Sequence, residues 1–193
     1  MSGDDTGEQQ APAQVKRVLP PERLGPHHDL TSFENGRHPS LDDWLKRRAL
    51  ASEGLSARTY VICDSDNPAR VMGYYAIATA MERRTALPSA RLRHGMPEEI
   101  PLLLIGRLAL DHAWQGLGLG TDLLADALRR CLAASDIAGA RGIIVHAIDD
   151  EAARFYQRHG FLPSPLGQGI MLMPVETVRA LFATPSGRPS SHP

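Results

Sequence analysis

Leu102-Leu-Leu-Ile-Gly-Arg-Leu-Ala-Leu110-Asp-His-Ala-Trp-Gln115-Gly-Leu-Gly-Leu-Gly120 begins as an apolar run and ends in alternate glycines. Beyond it, Leu123, Leu124, Ala127, Leu128, Cys131 and Leu132 recur on one helical face, which predicts an amphipathic helix from near Thr121. Strand, glycine loop and helix N-terminus in that order bring unpaired N–H groups and the positive end of the helix dipole together. The pattern therefore predicts a backbone cradle for a phosphate-bearing ligand. A P-loop is excluded, because G-x-x-x-x-G-K-[ST] needs a lysine that this loop lacks. A dinucleotide fingerprint, G-x-G-x-x-G, does not match glycines at 116, 118 and 120, although Asp149 or Asp150 supplies an acid of the type it uses.

Around this stretch the elements alternate. Residues 15–19 read as a short first strand. Ser40 with Asp43 reads as a capping box that opens a helix carrying Leu41, Trp44 and Leu45. Thr59-Tyr-Val-Ile-Cys63 and Val71-Met-Gly-Tyr-Tyr-Ala-Ile-Ala78 flank a turn-rich Asp64-Ser-Asp-Asn-Pro68 and predict a hairpin. Residues 82–97 look irregular. A strand at 143–147, a helix from Asp150 capped by Gly160, short strands near 161 and 170–173, and a helix from Val175 follow. The fold class is α/β: a mixed central sheet of about six to seven strands flanked by helices, in a single domain over residues 14–183. The tails, 1–13 and 184–193, are too polar to order themselves.

At 193 residues with 42% hydrophobic content the chain can bury one substantial core. No apolar run reaches membrane-spanning length, and the start has no basic, apolar signal, so a cytoplasmic protein without membrane contact is expected. Cys63 and Cys131 lie far apart and read as buried thiols; no metal is expected. Net charge is −1, yet three acids fall in the first ten residues, which leaves a slightly positive remainder rich in arginine. Arg83, Arg84, Arg91 and Arg93 form one cluster and Lys46-Arg47-Arg48 a second. Either is a phosphate-binding face or a solvated surface.

Gln115-Gly-Leu-Gly118-Leu-Gly120 fits the Q/R-x-x-G-x-G/A pattern, and Ala152-Ala-Arg-Phe-Tyr-Gln-Arg-His-Gly-Phe161 fits A-x-x-F-Y-x-x-x-G-F. Two such motifs in this order resemble the GNAT N-acetyltransferases. Leu41-Asp-Asp-Trp-Leu45, Gly73-Tyr-Tyr-Ala76, Leu104-Ile-Gly-Arg-Leu108, Val145-His-Ala-Ile-Asp149 and Phe161-Leu-Pro-Ser-Pro165 further resemble the toxin branch of that superfamily. The resemblance implies a GNAT fold and acetyl-CoA as co-substrate, with aminoacyl-tRNA as acceptor. It also implies a ribbon-helix-helix antitoxin as partner and a homodimer.

It implies site residues as well. The backbone of Leu108, Ala109 and Leu110 would pair with the pantetheine arm. The loop Gln115, Gly116, Leu117, Gly118, Leu119, Gly120 and Thr121 would hold the pyrophosphate. Tyr156 would be the acid that protonates the departing thiolate. Where family members place an asparagine after the next strand, this chain has Asp149-Asp150. An α-amine titrates near about 7.7 to 8.0, so little base is needed; Glu82 and His146 are secondary candidates for one. Arg83, Arg84, Arg91 and Arg93 would contact the RNA phosphates. The alternatives are a GNAT acting on a small-molecule or protein amine, and a non-catalytic acyl-CoA-binding module.

Overall fold

In the computed structural model, which describes residues 17–183, the strand that leads into the glycine loop lies at the centre of a seven-stranded sheet. The strands are β1 (Glu22–Arg23), β2 (Arg58–Asp64), β3 (Asn67–Arg83), β4 (Glu99–Leu110), β5 (Gly142–His146), β6 (Leu162–Pro163) and β7 (Ile170–Pro174). Their spatial order is β1-β2-β3-β4-β5-β7-β6. Neighbours are antiparallel except β4 and β5, which run parallel and are joined by the crossover helix α4. The helices are α1 (Pro39–Trp44), α2 (Leu50–Ser52), α3 (Ala90–Arg93), α4 (Leu119–Ala138), α5 (Asp150–Arg158) and α6 (Val175–Phe182). The sheet is thus the mixed one expected. The two tails lie outside the described residues.

The strand period of two sorts side chains onto two faces. Tyr75, Leu103 and Ile105 pack with Leu123, Leu124, Ala127 and Leu128 of α4, Tyr156 of α5 and Val178 of α6. Tyr74, Val61 and Ala109 pack with Phe33, Leu41, Leu45 and Ala49 on the opposite face. Both cysteines are buried free thiols, and burial pushes Cys63 up to about 11 and Cys131 to about 12.

Three local expectations are corrected. The helix near residue 40 is not opened by a Ser40–Asp43 box. It starts at Pro39, with His38 as N-cap and no side-chain cap, because proline at the first helical position needs no N–H partner. It then passes through a π-helical turn, Leu45–Ala49, before α2. Of the strand expected at 15–19, residues 15 and 16 lie outside the described residues; 17–19 hold one bridge, Val18 with Asp64, and the edge pairing falls to β1. Residues 82–97 are not wholly irregular. Glu82 and Arg83 extend β3, a 3₁₀ turn follows at Arg84–Ala86, and Ser89 caps α3 by accepting from the Leu92 N–H.

The sheet positions the site by parting. β4 and β5 pair only where Leu103, Leu104 and Ile105 face Ile143, Ile144 and Val145. At that level the register of β3 against β4 jumps from Ile77–Ile105 to Ala76–Arg107, which leaves Gly106 as an extra, bulged residue. A bulge bends its strand and sharpens the local twist. Beyond it β4 runs on to Leu110 beside β3 alone, while β5 ends at His146.

Candidate active site where β4 and β5 part

The open edge of β4 presents a limited set of backbone groups. The Asp111 N–H donates to the Met72 carbonyl, which fixes the alternation: Asp111, Ala109 and Arg107 turn their backbone groups to β3. Leu108 and Leu110 turn theirs to the opening. Leu110's carbonyl already accepts from the side-chain amides of Asn35, at 3.1 Å, and Gln115, also at 3.1 Å. Leu108 is therefore the residue with both groups open, whereas Ala109, grouped with it on sequence, spends its own on β3.

The glycine loop leaves β4 through a 3₁₀ turn, His112–Trp114, capped by Asp111. Gly116 and Gly118 stand at φ +76° and +82°, and a Cβ at either would meet nothing within 4 Å. Glycine is required there by backbone conformation and leaves open space beside the chain. Among the described residues the N–H groups of Gly116, Leu117 and Gly118 donate to no backbone carbonyl. Those of Leu119 and Gly120, in the first turn of α4, have no partner carbonyl within the helix. Gln115 is different. Its N–H turns back to His112, and its side chain donates to Asn35 and Leu110, so it fastens the loop in place. Thr121 shares a hydrogen bond with His159 Nε2 at 3.2 Å; His159 Nδ1 donates to the Phe155 carbonyl at 2.8 Å, so in the neutral ring Nε2 is the acceptor.

A third wall comes from a segment that the motifs do not mark. Asp111, 1% exposed, accepts from the Glu34 N–H, and the His112 N–H donates to the Glu34 carbonyl. These bonds lay residues 34–38 across the end of β4. The segment then reaches α5: His38 Nε2 lies 3.1 Å from Asp149, and Arg37 pairs with Glu151. Asp149 caps α5 by accepting from the Ala152 N–H. That bond, with His38 and Arg37 beside it, holds its carboxyl below the usual range. The acid found in place of the family asparagine thus has a structural task. An Asn-Gly turn at 35–36 is the only local signal of this wall in the sequence.

The open cleft between these walls, about 480 Å³, runs from the glycine loop past Leu108 to Tyr156. A second cavity of about 340 Å³ continues beyond, lined by Ser40, Gly106, Arg107 and His146, and shares Leu108 and Tyr156 with the first. Tyr156 therefore stands at the junction. It is 7% exposed, packed against Phe155 and Phe161, and burial pushes its hydroxyl up to about 12. Among the described residues no carboxylate lines the second cavity. Of the two secondary base candidates, His146 lies in it and Glu82 does not.

The four clustered arginines separate. Arg84 reaches Glu98 at 3.4 Å, and Arg93 donates to the Leu87 carbonyl at 2.8 Å. Arg83 and Arg91 are exposed and make no such contact among the described residues. Lys46, Arg47 and Arg48 sit exposed on the π turn, with Arg47 beside Asp43.

The chain and its fold have counterparts among known proteins. Residues 56–163 match the model of the acetyltransferase (GNAT) domain. The chain is 41% identical over 163 residues, 84% of its length and 95% of the relative's, to a tRNA-acetylating toxin of Mycobacterium tuberculosis (strain ATCC 25618 / H37Rv). Among solved structures it resembles AtaT complexed with acetyl-methionyl-tRNAfMet, with TM-score 0.79, 28% identity, and 86% of this chain and 100% of that one covered. It also resembles a tyrosine-to-phenylalanine variant of the AtaT toxin bound to the C-terminus of the antitoxin AtaR and acetyl-CoA. There the TM-score is 0.72 and identity 27%, covering 86% of this chain and 99% of that one.

Proposed function

The chain belongs to the GNAT acetyltransferases, and from that premise we propose that it moves the acetyl group of acetyl-CoA to the α-amine of aminoacyl-tRNA, blocking translation as a toxin. One observation carries the choice of acceptor. Among the described residues the cavity beyond Tyr156 offers Arg107 and His146 and no carboxylate. A polyamine or other cationic small molecule would want acids there, whereas an acceptor whose amine hangs from a polyanion is matched by the guanidinium. The Arg107 guanidinium lies 5.6 Å from the Trp44 ring centre and donates to the Gly106 carbonyl at 2.6 Å.

Each residue then has a task. The free N–H groups of the glycine loop and the first turn of α4 receive the pyrophosphate, and the open backbone edge of Leu108 pairs with the pantetheine arm. Acetyl-CoA supplies a thioester, whose carbonyl the neutral amine attacks. Tyr156 stays protonated at neutral pH, because its hydroxyl titrates only near about 12. It donates to the sulfur as the C–S bond breaks. Full transfer to a thiolate of ordinary pKa, about 8.5, is uphill unless the tyrosine regains a proton, and the attacking amine has one to lose. The hydroxyl thus closes a relay in which the amine's proton ends on the CoA thiol. The unit that does this spans residues 14–183, works in the cytoplasm, forms a homodimer, and is held in check by a ribbon-helix-helix antitoxin. Among the described residues no helix is long and apolar enough to cross a membrane.

The test gives labelled acetyl-CoA and total charged tRNA to the full chain and to Tyr156→Phe. Label should reach the α-amine of charged tRNA, and the variant should lose about 10²–10⁴-fold in rate, the usual range for a positioned acid. Acetylation of free amines with none on tRNA would overturn the proposed acceptor.

A further inference from the structure

One charged side chain of the cleft has no partner among the described residues. The cleft's two acids are matched: Glu151 by Arg37, and Asp149 by His38 at 3.1 Å and Arg37 at 3.6 Å. Arg158 lines the same cleft, is exposed, and makes no hydrogen bond or ion pair among the described residues. It closes the last turn of α5, where a cation is favoured by the negative end of the helix dipole without its guanidinium being consumed.

Its position along the cleft is fixed by its neighbours. Phe155, three residues before it and so on the same helical stripe, comes within 3.8 Å of where a Cβ of Gly120 would stand. His159, directly after it, is bonded to Thr121. Arg158 is thereby held beside the start of α4, at the end of the cleft away from the second cavity. CoA carries its phosphates in a set order: thioester, pantetheine, pyrophosphate, then adenosine with a phosphomonoester on the 3′ oxygen. With the thioester at Tyr156 and the pyrophosphate on the loop N–H groups, the phosphomonoester lies past the loop. A planar guanidinium meets such a dianion with two parallel hydrogen bonds.

We infer that Arg158 is the subsite for the 3′-phosphate of CoA, so that the chain tells CoA from 3′-dephospho-CoA. This rests on the acetyl-CoA reading of the cleft. Calorimetric titration of the full chain with CoA and with 3′-dephospho-CoA, at low salt, tests it in wild type, Arg158→Gln and Arg158→Lys. Wild type should prefer CoA by about tenfold, the scale of one charge-assisted contact. The glutamine variant should lose that preference while its affinity for 3′-dephospho-CoA stays unchanged, and lysine should restore part of it. Equal weakening toward both ligands, or a preference that survives in Arg158→Gln, would overturn the assignment and leave the acetyl-CoA reading standing. A wild type that binds neither ligand would instead overturn that reading.

Discussion

At the scale of single residues, Tyr156 and the acceptor amine divide the pH dependence between them. The amine reacts only when neutral and titrates near about 7.7 to 8.0. Tyr156 keeps its proton up to about 12, because burial disfavours the phenolate. Acetylation of charged tRNA under kcat/KM conditions should therefore rise through pH 7–8 and stay level to pH 10. A falling limb between pH 8 and 10 would mean that some other acid, of lower pKa, does the work. His146 lines the acceptor cavity and is the imidazole best placed to contribute a base. If the amine alone sets the rising limb, His146→Gln alters its height but not its midpoint. A midpoint that moves would make His146 the titrating group.

At the scale of elements, the strand–loop–helix unit was the most legible part of the chain, since its signals are local: an apolar run, alternate glycines and a 3.6-residue period. Even there, legibility stopped at function per residue. The pattern groups Gly118 and Gly120, yet they differ physically. Gly118 stands at φ +82°, where a Cβ costs about 1–2 kcal/mol, and it opens onto the phosphate side. Gly120 lies within α4 at ordinary φ, and its Cβ would meet Leu110 and Phe155 at 3.8 Å, an ordinary contact. Gly118→Ala should lower stability and weaken CoA binding. Gly120→Ala should raise stability by about 0.5–1 kcal/mol, as alanine for glycine does in helices, with CoA still bound. Thermal melting and CoA titration of the two variants decide this, and equal behaviour would show that the loop does not discriminate its glycines. The wall at residues 34–38 was illegible for the opposite reason. Its contacts, Glu34 to Asp111 and Arg37 to Glu151, join residues 77 and 114 positions apart, and no local period records such pairs.

At the scale of the whole molecule, β4 sets the order in which ligands are met. Its far end, Glu99, pairs with Arg83; Gly106 and Arg107 line the acceptor cavity; Leu108 edges the cofactor cleft. The arginine cluster is thus on the acceptor side of Tyr156, about 30 Å along the strand from Leu108 at about 3.3 Å per residue. Only a macromolecular acceptor reaches both. Within the cluster the sequence offered four equal arginines, but Arg84 and Arg93 are tied to Glu98 and the Leu87 carbonyl. Arg83 and Arg91 remain to meet phosphates. The double variant Arg83→Glu/Arg91→Glu should raise KM for charged tRNA at least tenfold, with kcat and the KM for acetyl-CoA unchanged. The slope of log affinity against log salt should shrink by about two, one for each phosphate that no longer has an arginine beside it. Reversing Arg84 and Arg93 should lower the melting temperature as well, because both hold the segment after β3 together. If the first double variant leaves both KM and the salt slope untouched, the RNA takes another path from the cavity, and the exposed Lys46 and Arg48 on the π turn become the face to reverse next.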